Sequence, residues 1–119
     1  MLKFTLYGRL AADPEFTTYG DNAPMARLRV ASHHPGSAHA DFFTVAVFDP
    51  PTLAQLANAH KGDPLRLDGS ARQHRWVTQH DDQREQINLV ARTVEHHQAH
   101  WRSAGQHTAL RTATAQAGR

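Results

Sequence analysis

Cysteine is absent from the 119 residues. That removes disulfide staples, thiolate nucleophiles and every metal site built on sulfur. No apolar run approaches the length of a membrane-spanning helix. The N-terminal MLKFTLYGRL alternates apolar with polar residues where a signal peptide would be continuously apolar. A cytoplasmic domain with no membrane contact is the expectation. Excess charge is also scarce: 13 Lys and Arg against 11 Asp and Glu leave a formal +2. A histone-like field is excluded, so any basic footprint must be local. There is no glycine-rich phosphate loop. Asp13, Glu15, Asp81 and Asp82 fall in turns with no base or nucleophile positioned beside them. The chain therefore reads as a non-enzyme with no cofactor. His96, His97, His100 and His107 could share one helical face as metal ligands do. No cysteine or acidic ligand accompanies them, and neutral surface histidines are the plainer reading.

What is present is strand patterning around one helix, on a chain long enough for a single core. Leu2, Phe4 and Leu6 alternate with Lys3, Thr5 and Tyr7, a half-buried strand reaching Gly8. Asp13-Pro14-Glu15 marks a turn. Ala26, Leu28 and Val30 form a second strand with Arg27 and Arg29 on its outer face, followed by a loop over 32–41. The third strand, FFTVAVF (42–48), sets Phe43, Val45 and Val47 against Phe42, Thr44, Ala46 and Phe48. Pro50-Pro51 opens a short alanine- and leucine-rich helix that Gly62 closes. Leu65 and Leu67 begin a fourth strand, in which Gly69 marks a bulge or bend. TQHDDQR (78–84) is a polar hairpin loop, and QINLVARTV (86–94) is the fifth strand. Past Glu95 no acidic residue occurs, while Arg102, Arg111 and Arg119 remain. The expected division is one domain over 1–98 and a short basic, disordered tail over 99–119.

The stretch DGSARQHRW (68–76) then stands out, because its indole ends a run of arginines, histidine and glutamine. Tryptophan ordinarily goes to a core or an interface. A planar base on an anionic backbone would suit both Trp76 and the arginines around it. Five strands with a helix between the third and fourth is the layout of the OB-fold, an all-β barrel that binds oligonucleotides.

GRLAADPE (8–15), the strand ending in Phe48, LAQLANAHKGDPLRLDG (53–69) and SARQHRW occur in the order seen in bacterial single-stranded DNA-binding proteins. The chain resembles that family over about residues 1–95. The resemblance implies an OB-fold that binds and protects single-stranded DNA in replication, recombination or repair. It places Phe42, Phe48 and Trp76 at base-stacking positions and matches Lys61 and Arg75 to basic positions. Outward parity adds Arg27 and Arg29 as phosphate contacts, with Arg72 beside them. The family builds long tracks from homo-oligomers, and the first strand is an expected open edge; a tetramer is expected ahead of a dimer.

Two departures from the family pattern stand. The loop after the second strand, SHHPGSAHAD, lacks the family's tryptophan, and the sequence ends TALRTATAQAGR rather than in an acidic tip that docks replication and repair partners. An OB-type primosomal accessory protein is therefore an alternative. So is an OB domain used only for protein–protein interaction, with Phe42 and Phe48 in a subunit interface, Trp76 capping the barrel end and the arginines merely solvated.

Overall fold

Alternation along the chain becomes sidedness in the sheet. In the computed structural model, which describes residues 1–97, strand β1 (Leu2–Leu10) buries Leu6 and Leu10, half-buries Phe4, and exposes Lys3, Thr5, Tyr7 and Arg9. The further elements are β2 (Glu15–Tyr19), β3 (Ala23–His33), β4 (Ala40–Val47), α1 (Pro50–Leu56), β5 (Pro64–Val77) and β6 (Gln83–His96). The expected tail over 99–119, with Trp101, lies outside the described residues, as do His100 and His107.

The strands run β1-β5-β6-β4-β3-β2, and β1 also pairs with β3. Five strands therefore return on themselves as a ring, with β2 attached outside it. All pairings are antiparallel except β4 with β6. With α1 placed between β4 and β5, this is the OB-fold arrangement. The interior is filled by Leu28 and Val30, Val45 and Val47, Leu65 and Leu67, and Ala91 and Val94. Leu56 of α1 closes one end, fully buried. The Thr52 hydroxyl donates to the Arg92 carbonyl at 2.6 Å and fastens α1 to β6.

Two glycines let backbones meet where a side chain could not. A Cβ on Gly8 would overlap the Ala31 carbonyl oxygen, at the point where β1 closes onto β3. A Cβ on Gly69 would overlap the Val90 carbonyl oxygen, beside the register shift between Asp68 and Gly69. The expected bulge is there.

Other expectations change. Strand β2 begins at Glu15 of the expected turn and fills a stretch to which the sequence assigned no element. It pairs with β3 from Glu15↔Arg27 to Tyr19↔Ala23, and the connection holds Asn22 in a left-handed conformation (φ 68°). All five of its residues are exposed, so it carries no hydrophobic alternation to read. The loop expected over 32–41 shortens, because Ser32↔Asp41 and His33↔Ala40 still pair. Helix α1 ends at Leu56, well before Gly62. There the buried Asp63 carboxylate takes over, accepting the His60 N–H at 3.0 Å and contacting His96 Nε2 at 2.8 Å. His96 is therefore not a surface histidine. Its side chain is only 14% exposed, because Asp63 holds it against the turn after α1.

Beyond the bulge, β5 and β6 continue together past the ring, from Arg72↔Asn88 to Val77↔Gln83. Every residue from 72 to 77 and from 83 to 88 is exposed. This is a two-stranded arm. Its turn is closed by Thr78, whose N–H donates to the Asp82 carbonyl and whose hydroxyl accepts the His80 and Asp82 N–H groups. The hairpin loop is thus shorter than the expected 78–84, and Trp76 lies within β5.

Candidate nucleic-acid interface

The outer faces of β3 and β4 are built by register. Arg27 sits opposite Ala46, Arg29 opposite Thr44, and Ala31 opposite Phe42. The Arg29 guanidinium lies over the Phe42 ring, 5.2 Å from its centroid, and donates to Thr44 Oγ1 at 3.3 Å. A ring capped in this way is held with its other face free. Phe48, just past β4, meets Tyr19 of β2 edge to face, with centroids 5.4 Å apart and planes at 68°. That geometry suits the quadrupoles of the two rings.

The base of the arm forms the opposite wall, with Arg72, His74, Ile87 and Leu89. Between the walls lies a groove of about 1190 Å³. Its lining holds the rings of Tyr19, Phe42, Phe43 and Phe48, the guanidinium groups of Arg27, Arg29 and Arg72, and, among the described residues, no carboxylate. Arg27 is shared with Glu15 at 3.2 Å, a pair exposed at both ends and hence weak.

Parity on β4 holds for Val45 and Val47, which are buried, but not for Phe43, which is 37% exposed. The cause is the partner strand. β4 pairs with β6 only from Val45↔Leu89 to Val47↔Ala91, so ahead of Val45 the ring is open and Phe43 looks into the groove.

A second recess of about 530 Å³ lies at the outer part of the arm, lined by Arg75, Trp76, Val77, Gln83, Arg84 and Glu85. Register divides the arm's side chains between two faces. Arg72↔Asn88, His74↔Gln86 and Trp76↔Arg84 share one face; Gln73↔Ile87, Arg75↔Glu85 and Val77↔Gln83 share the other. Arg75 therefore points away from the Trp76 face, and its guanidinium approaches Glu85 at 3.8 Å and donates to Gln73 at 3.0 Å. The imidazole of His74 is stacked on Trp76, with centroids 5.3 Å apart and planes at 26°.

Of the residues singled out from sequence, Phe42, Phe48, Arg27, Arg29 and Arg72 come together in the groove. Trp76 and Arg75 stand on the arm. Lys61 lines neither site: it lies in the turn before β5, where its backbone N–H donates to the Asp13 carboxylate at 2.7 Å. Sequence reasoning missed Tyr19, because its strand has no apolar pattern, and Arg84, which pairing across the Thr78–Asp82 turn would have set opposite Trp76.

The model of the single-strand binding protein family matches residues 1–97, which are all of the described residues. The chain belongs to the single-strand binding protein family. Solved structures agree on the fold. The mitochondrial single-stranded DNA-binding protein of S. cerevisiae is similar with a TM-score of 0.67 at 19% identity, covering 79% of this chain and 92% of that one. A Plasmodium falciparum SSB in complex with single-stranded DNA is similar with a TM-score of 0.68 at 15% identity, covering 82% and 96%. Among curated protein sequences none matches the chain significantly. Membership thus extends over β2 and the arm as well as the ring.

Proposed function

We propose that the chain binds single-stranded DNA without catalysis and with little base preference, and so protects exposed single strands in replication, recombination or repair. The observation that carries the reading is the groove, whose described residues set four aromatic rings beside three arginines with no carboxylate. Rings facing solvent are of little use to a duplex, whose bases already stack on one another. Unstacked bases can lie on them, and every base offers a π-face. Phe42 and Phe48 are the stacking platforms, with Tyr19 supporting Phe48. Trp76 offers a further platform on the arm. Arg29 and Arg72 neutralise phosphates in the groove, and Arg27 does so in competition with Glu15. Arg75 and Lys61 contribute from its periphery.

Family membership supports binding rather than catalysis. Among the described residues no helix is long and apolar enough to cross a membrane, and the proposed site of action is the cytoplasm with the nucleoid. Residues 99–119 carry Arg102, Arg111 and Arg119 and no acidic residue, so they add diffuse attraction for the backbone.

The test is a titration with oligo-dT across a range of salt, followed by tryptophan fluorescence. Quenching is expected, with log affinity falling linearly against log salt by about 0.7 per phosphate neutralised. Unchanged fluorescence and no binding at low salt would assign the aromatic groove to a protein partner instead.

A further inference from the structure

The binding face of the arm carries a group that none of the assigned roles uses. His74 lines the groove and is stacked on Trp76, so it joins the two recesses into one path. Arg72 precedes it on the same face of β5; Gln86 lies directly opposite on β6, with Arg84 and Asn88 to either side. The charged groups of the facing groove wall are Arg27, which is paired with Glu15, and Arg29. The nearest carboxylate of the arm ladder, Glu85, belongs to the other face and is held by Gln73 and Arg75. Asp82 lies beyond the ladder, 4.0 Å from Arg84. On this face, then, an imidazole stands between two arginines with no anion beside it among the described residues.

We propose that His74 is a phosphate contact that becomes charged on binding, so that single-stranded DNA and a proton bind the arm together. The inference rests on the single-strand-binding reading and adds a ligand to it. A phosphate laid along Arg72, His74 and Arg84 supplies the missing anion, and an opposite charge at contact distance favours the imidazolium. Imidazole is the side chain whose charge changes near neutral pH. The sign follows: affinity rises as pH falls, and the number of phosphates neutralised rises with it. The ring keeps its stack on Trp76 in either state, and a cation on an indole face is itself favourable.

The experiment is the salt dependence of oligo-dT binding at about pH 8 and about pH 6, read by anisotropy of a labelled oligonucleotide on the full chain. Thymine has no group that titrates in this range, so any pH effect belongs to the protein. The wild-type slope is expected to steepen at the lower pH by about 0.7 for each subunit engaged. His74→Gln should keep the shallow slope at both pH values, and His74→Arg the steep one at both. His74 is exposed, so neither change threatens the fold. A wild-type slope that does not change with pH, or an increment that survives in His74→Gln, would overturn the proposal. Failure of the wild type to bind at all at low salt would instead remove the reading on which it rests.

Discussion

Phe48 and Trp76 offer the same kind of ring in different settings. Phe48 is 37% exposed and braced by Tyr19, so its removal takes away a platform and also frees the tyrosine beside it. Trp76 stands on an arm with no core behind it, touching His74. Each substitution to alanine is expected to weaken DNA binding by about 1–3 kcal/mol. Trp76→Ala should leave the unfolding transition in urea unmoved. An unchanged affinity, or a lost transition, would make the indole structural. Legibility at this scale follows neighbours. Phe42 and Phe48 could be read because parity opposes them to Val45 and Val47, residues a core requires. Adjacency to Trp76 did not tell which way Arg75 faces, because consecutive strand residues point to opposite faces.

At the scale of elements, hydrophobic alternation was enough for β1, β3, β4 and β6, since each has one face against the interior. It failed for β2, whose strand character rests on its ladder with β3 and not on burial. It also could not show how far β5 runs, because the arm is polar on both faces except at Trp76, Val77 and Ile87. The tie between the turn after α1 and the end of β6 was equally hidden, for it uses a buried carboxylate rather than a pattern. Asp63 is fully buried, and its contacts with the His60 N–H and His96 Nε2 tie the turn to the end of β6. Asp63→Ala leaves those polar groups without their acceptor. A loss of about 3 kcal/mol is expected, seen as a lower urea midpoint. A shift within error would show that the carboxylate is dispensable to the turn.

For the molecule as a whole, β1 presents a long edge among the described residues. β1 pairs with β5 from Leu2 to Arg9, but with β3 only at Arg9 and Leu10. Among the described residues, the other side of Leu2–Tyr7 is therefore an open row of backbone donors and acceptors, flanked by Leu2 and Tyr7, both more than half exposed. Such an edge invites pairing with a second copy. A homo-oligomer is expected, tetramer ahead of dimer, and light scattering at micromolar concentration checks it; a monomeric mass would contradict it.

The short β4–β6 ladder has a consequence for mechanics. The molecule is two three-stranded halves, β2-β3-β4 and β1-β5-β6, sewn along two seams. One seam is three residue pairs long, Val45↔Leu89 to Val47↔Ala91, and the other is two, Arg9↔Ala31 and Leu10↔Val30. The groove lies across the first, with Phe42 and Arg29 on one half and Arg72 and Leu89 on the other. Short ladders are where a fold opens first. A strand gripped by both halves acts as a stitch over that seam, and the slowing of amide exchange at Val45–Val47 on adding DNA would measure how tightly it is drawn.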